Sequence, residues 1–220
     1  MTGPTRRGDP SGVTRPGARI VLVRHGETAW HAENRYAGLS DVALTRRGRE
    51  QAELLAAWAK TAGLSALWCS PLARARDTAA AVARTTGLQP RVDARLRELD
   101  FGEAEGCTIA EMERRFPDRV AAFRADPVAN HLPGGEDPRA AAERGATCIR
   151  EIALIHPGGH VLVLTHTTLL RLVLCQLLGL PLSEYRRVFP FVRNCGLTEI
   201  QLDHDVVSLL EYNVPIEAAV

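Results

Sequence analysis

The stretch Ile20-Val21-Leu22-Val23-Arg24-His25-Gly26-Glu27-Thr28-Ala29-Trp30-His31 decides how this chain is read. Four apolar residues stop on a cation, an imidazole and a glycine. An apolar run without polar alternation reads as a strand covered on both faces. In open α/β sheets, ligands lie outside the carboxyl ends of the strands. Arg24 and His25 therefore stand where a ligand is expected.

Working outward, the same logic recurs. Thr45 is placed to cap a helix running to about Thr61, with Gly63 ending it. Ser65 to Cys69 is a short apolar run, and Ser70-Pro71 reads as N-cap and first position of a helix carrying Arg74. Thr108 to Glu111 forms a capping box, and Pro117 stops the helix that this box opens. Asp137-Pro138 opens an alanine-rich helix that ends near His156 to Gly159. His160 to Thr165 is a second wholly apolar strand, which meets His166 and runs straight into a helical pattern. Leu197–Leu202 and Val206–Tyr212 read as a hairpin. The alternation predicts an α/β three-layer sandwich: a mainly parallel central sheet flanked by helices, with a small antiparallel addition. One domain is expected over residues 18–220. Residues 1–17, polar and rich in Gly, Pro and Arg, are expected to be a disordered extension.

The composition excludes several classes. The chain has 220 residues and a net charge of +1, so charge gives no case for nucleic acid or an acidic membrane surface as partner. The apolar stretch Leu169–Leu180 contains Arg171 and Gln176 and is too short to span a bilayer. Five scattered cysteines, none in a C-x-x-C pair, argue against a disulfide framework or zinc site and fit the cytoplasm. His156 and His160 straddle Pro157-Gly158-Gly159, so they read as a turn rather than a metal site. His131 and His204 read as loop residues.

Brought together at one sheet edge, Arg24, His25, Arg74 and His166 make a concentrated cationic pocket. Helix N-termini add N–H groups aimed at an anion. The natural ligand is a phosphoryl group, which needs positioning and electrostatic stabilisation. A neutral histidine can attack phosphorus, and neighbouring arginines should keep it neutral. One ring nitrogen then donates and fixes the tautomer while the other attacks. Gly26 reads as leaving room for the phosphate. Glu98 and Asp100 both qualify on chemistry as the acid for the leaving oxygen, since burial and a nearby phosphate raise a carboxyl pKa. Trp30 and Tyr36 fit equally the pocket mouth or the packing.

The ordered set Arg24-His25-Gly26-Glu27-Thr28, Ser70-Pro71-Leu72-Ala73-Arg74-Ala75, Arg97-Glu98 through Phe101-Gly102, and Leu164-Thr165-His166 resembles the histidine phosphatase superfamily, of phosphoglycerate mutase-like fold. Leu44-Thr45 with Gly48 and Gln51-Ala52, and Pro133-Gly134-Gly135-Glu136, match as well. The resemblance covers about residues 18 to 212. It implies His25 as phosphoacceptor, Arg24, Arg74 and His166 as the phosphate-binding ring, Glu98 rather than Asp100 as proton donor, and the backbone N–H of Thr167 on a phosphate oxygen. It implies no cofactor and no metal. His31 departs from the pattern, standing where the family often has a phosphate-contacting Asn; it is expected to donate a hydrogen bond to phosphate and to add a cation when protonated. Thr167-Thr168 replaces a frequent glycine and narrows the pocket.

The expected function is a metal-independent phosphomonoesterase that hydrolyses a small phosphorylated metabolite through phosphohistidine. Two alternatives stay open: a phosphoglycerate or phosphosugar mutase using the same intermediate, and a non-catalytic module that binds phosphorylated ligands. The compact chain after Phe101-Gly102 resembles the phosphatase branches more than the mutases, which usually carry a longer insertion there. A homodimer is compatible with the sequence.

Overall fold

In the computed structural model, residues 16–204 and 206–216 are described. The extension expected over 1–17 lies outside them except for Pro16 and Gly17; the Pro16 carbonyl accepts a hydrogen bond from the Gly158 N–H. The strands are β1 (Ala18–Arg24), β2 (Ala66–Cys69), β3 (Pro90–Val92), β4 (His160–Thr165), β5 (Leu197–Asp203) and β6 (Val206–Val214). The helices are α1 (Arg46–Ala59), α2 (Ala73–Thr86), α3 (Ile109–Arg115), α4 (Pro117–Ala125), α5 (Pro138–Ile155), α6 (Thr167–Leu178) and α7 (Tyr185–Val188).

One six-stranded sheet has the order β3-β2-β4-β1-β5-β6. The first four strands are parallel, and β5 and β6 join antiparallel. This is the mainly parallel α/β sandwich that the strand pattern predicts. β1 has no polar alternation because both its faces are covered. Ile20 and Leu22 pack into the core shared with α5 and α6, while Val21 and Val23 pack into the core shared with α1 and α2.

Several local readings hold to the residue. The Thr45 hydroxyl accepts from the Gly48 N–H and caps α1. The Thr108–Glu111 capping box forms at α3. Pro117 ends one helix and opens the next, so α4 follows α3 where the sequence predicts only a stop. The reading of Ser70-Pro71 as a helix start fails. α2 begins at Ala73 and its N-cap is Leu72. Ser70 is fully buried, and its hydroxyl is turned toward His166 instead.

Candidate active site

The strand order sets β4 between β2 and β1, so Cys69, Thr165 and Arg24 end side by side. The chain leaves each strand at its carboxyl end, and the chemistry-bearing side chains come immediately after. A hollow of about 220 Å³ opens there, with Arg24, His25, His31, Glu98 and Thr167 on its wall. Arg74 and His166 are fully buried beside His25.

His25 is fixed by its neighbours. Its Nδ1 lies 2.7 Å from the Gly26 carbonyl, which only accepts, so Nδ1 carries the proton. Nε2 is left with the lone pair, and Arg74 Nε donates to it at 3.1 Å. Burial, then Arg74, then Arg24 hold the His25 pKa well below the usual histidine range. The expected neutral histidine is therefore present, with the lone pair on Nε2.

Arg74 is more deeply committed than its sequence position suggests. Nη1 donates to the Ser40 carbonyl at 2.8 Å, and Nη2 donates to Ala37 and Gly38 at 3.1 and 2.8 Å. Four of five guanidinium N–H groups are thus engaged. Arg24 donates to the Val192 carbonyl at 2.8 Å, and its buried Nε has no protein partner among the described residues. Burial lowers its pKa to about 10, so it stays cationic.

His31 differs from expectation. Its Nε2 faces Arg24 Nη2 at 2.6 Å and Asn194 Nδ2 at 3.3 Å. The Asn194 amide is oriented by donating to the His25 carbonyl at 2.9 Å. Each ring nitrogen faces a donor: Nε2 the Arg24 guanidinium, and Nδ1 the Thr28 N–H at 3.0 Å, with the Thr28 hydroxyl 2.8 Å from Nδ1. Burial and then Arg24 push the His31 pKa down to about 4. At neutral pH His31 therefore brings no cation to the hollow, and its Nε2 lies against Arg24. It orients Arg24 instead.

Glu98 is held on both oxygens. Oε1 accepts from the Leu99 and Leu169 N–H groups at 2.8 and 2.9 Å, and Oε2 from the Thr168 N–H at 3.0 Å. The N-terminus of α6 thus grips this carboxyl, while the Thr167 N–H is left out of that set. Asp100 accepts from the Gly102 N–H at 2.8 Å. His166 Nε2 pairs with the Ser70 hydroxyl at 2.7 Å, and its buried Nδ1 has no protein partner among the described residues. Trp30 and Tyr36 both line the hollow.

Gly26 has a different reason from the one read in the sequence. A Cβ there would lie 2.4 Å from the Gly48 carbonyl, and a Cβ on Gly48 would lie 2.0 Å from the Glu27 carbonyl. The glycine makes room for α1, not for a ligand. Asn194 carries no signal in the sequence. It lies 169 positions from His25, and an Asn before a cysteine has no local signature.

His156 and His160 face different partners, the Trp68 indole and the Ala62 carbonyl. Among the described residues no group of three or more His, Cys, Asp or Glu is placed to hold a metal. No helix among them is long and apolar enough to cross a membrane.

The depressed histidines make stability depend on pH. In the unfolded chain, His25, His31 and His166 take up protons near pH ~6.5. In the folded chain their pKa values are lowered, so they stay neutral there. Unfolding then consumes protons, and stability falls as pH drops below about 6.5, by up to about 1.4 kcal/mol per pH unit for each group. We expect the urea midpoint to fall clearly between pH 7.5 and 5.5; an unchanged midpoint would contradict the buried neutral state.

Two histidines, two arginines and a carboxyl thus gather at the carboxyl edge of the parallel strands. The chain belongs to the histidine phosphatase superfamily (branch 1), whose model matches residues 20–215. It is 33% identical to the probable phosphoglycerate mutase GpmB of Citrobacter koseri, over 83% of this chain and 84% of that protein. It is 32% identical to phosphoserine phosphatase 1 of Hydrogenobacter thermophilus, over 76% and 79%. Among solved structures, a mycobacterial glucosyl-3-phosphoglycerate phosphatase superposes with a TM-score of 0.82 at 27% identity, covering 90% of this chain and 100% of that one. The family, the fold and the phosphatase class read from the motifs are borne out.

Proposed function

We propose that the chain is a metal-independent phosphomonoesterase that hydrolyses a small phosphorylated metabolite through a phosphohistidine. The carrying observation is the His25 tautomer: Nδ1–H is spent on the Gly26 carbonyl, so Nε2 alone can attack. Arg74 Nε–H occupies that lone pair until a phosphoryl oxygen takes the hydrogen bond. The Nε2–P bond forms as the ester P–O bond breaks, and the Glu98 proton goes to the leaving oxygen. Arg24 Nε, the buried His166 Nδ1 and the Thr167 N–H are unspent polar groups suited to the phosphoryl oxygens. Water then attacks phosphorus with Glu98 as base, releasing orthophosphate and restoring both residues.

Relatives named for phosphoserine and for glucosyl-3-phosphoglycerate hydrolysis support the substrate class. One feature favours hydrolysis over phosphate migration. Outside the reactive set, the charged side chain on the hollow's wall is Arg35, and Glu33 and Glu111 pair with it at 2.7 and 2.8 Å. A mutase must hold its product between two transfers, and that wall supplies no unpaired cation among the described residues to do so. Five free cysteines, four of them buried, support a reducing cytoplasm as its location.

A panel of cellular phosphomonoesters assayed for phosphate release, with trapping of acid-labile phosphoenzyme, tests the reading. Release with a trapped intermediate is expected. Migration without release would make the protein a mutase, and no turnover would make it a binder. Glu98→Gln sharpens the test. It should slow alkyl phosphates by about 10²–10⁴-fold, and p-nitrophenyl phosphate far less, because that leaving group needs no proton. Equal losses on both substrates would remove Glu98 as the acid.

A further inference from the structure

Glu98 is gripped a second time, through its main chain. The Arg144 side chain of α5 is 13% exposed, and all five of its guanidinium N–H groups are engaged. Nη1 donates to the Arg95 and Arg97 carbonyls at 2.6 and 2.9 Å, and Nη2 to the Glu98 carbonyl at 3.1 Å. Nε and Nη2 donate to the two carboxylate oxygens of Glu136 at 2.7 and 2.9 Å. The Thr165 hydroxyl donates to the Leu96 carbonyl at 3.0 Å. Successive carbonyls from Arg95 to Glu98 are thus held by side chains. Glu136 closes the Pro133-Gly134-Gly135-Glu136 stretch, and its N–H donates to the Asp100 carbonyl at 3.0 Å. A Cβ on Gly135 would lie 2.8 Å from that carbonyl, so this stretch rests closely on the loop that carries Glu98. Gly145 lets α5 close on α6: a Cβ there would lie 2.5 Å from Val173 and 3.0 Å from Leu169. Arg144 is therefore kept near the helix end whose Thr168 and Leu169 N–H groups hold the Glu98 carboxyl.

We propose that Arg144, with Glu136, is a positioning residue for the proton donor, setting how well the leaving oxygen is protonated without touching the phosphate. This rests on the reading of Glu98 as the acid. The Glu98 oxygens must carry a proton at one stage of the cycle and lose it at another, so their bonds to the α6 N–H groups change as the reaction proceeds. The Glu98 carbonyl does not titrate. A grip on it is the same in both states and holds the root of the side chain still while the carboxyl works. A guanidinium suits this task because its planar fork reaches three carbonyls and a carboxylate at once, which an ammonium cannot do. Glu136 pairs with the cation, so its burial is compensated. No N–H of Arg144 is left for a phosphoryl oxygen, which separates it from Arg24, whose Nε has no protein partner among the described residues.

Arg144→Lys keeps a cation opposite Glu136 but has too few donors for three carbonyls and two carboxylate oxygens. It should lower kcat/KM on β-glycerol phosphate, whose leaving alkoxide needs a proton, by about 10²-fold, as a displaced catalytic group does. On p-nitrophenyl phosphate the loss should stay within about threefold. Adding Arg144→Lys to Glu98→Gln should cost the glycerol ester little beyond Glu98→Gln alone. Glu136→Gln is nearly isosteric and should show the same split at about tenfold. It carries the test if Arg144→Lys fails to fold, with urea unfolding and circular dichroism as checks. A residue serving the fold alone would slow both substrates together. Equal losses in the folded variants, with Glu98→Gln still selective, would therefore overturn the proposal and leave the acid assignment standing. Losses that multiply in the double variant would overturn it too. If Glu98→Gln itself slows both substrates equally, the acid assignment falls first and the proposal with it.

Discussion

Replacing His25 with alanine removes turnover, by about 10⁴-fold or more, and leaves phosphate binding largely in place. Arg24 keeps its Val192 anchor and its contact with His31, and neither passes through the His25 imidazole. Calorimetry with inorganic phosphate should therefore show affinity within about tenfold of the parent, while no phosphoenzyme can be trapped. His25 is only 5% exposed, so its removal also leaves a cavity. His25→Asn keeps a polar group near the Gly26 carbonyl and guards against a folding artefact. Full activity in a folded variant would remove the nucleophile assignment.

Arg74→Lys is the second large effect, and it is expected to have two parts. Lysine cannot reproduce the planar fork. It cannot serve the Ala37, Gly38 and Ser40 carbonyls and His25 Nε2 together. Buried acceptors left unpaired cost about 1–3 kcal/mol each, so stability should fall by a few kcal/mol. The charge beside the transferring phosphoryl is also displaced, which should lower kcat/KM by about 10²–10³-fold. Urea unfolding and phosphate release on the same sample measure both. An activity loss with unchanged stability would mean that the three carbonyls do not depend on this guanidinium.

What the sequence discloses is governed by locality. The ends of β1 and β4 are legible because an apolar run that stops on a histidine is a contiguous signal. Thr45 and Thr108 are legible because capping is decided within one turn. Ser70 misleads for the same reason. Its neighbours look like a helix start, yet its hydroxyl is taken by His166, 96 positions away. Asn194 and the Arg74 carbonyl cage are invisible, because each is a contact between segments that only the fold brings together. His31 is legible as the unusual position but not in its role. Whether an imidazole donates or accepts depends on its two neighbours in space.

The contact between Gly26 and Gly48 has a consequence for how this chain can change. At that point the loop that carries His25 rests on α1 through bare main chain, with no side chain on either glycine. Most packing faults can be relieved by a second substitution that makes space across the contact. Here nothing remains to be made smaller. A side chain arriving at either glycine cannot be offset at the other, so the only way back is reversion. The joint beneath the nucleophile is thus a pair of positions that can drift neither singly nor together.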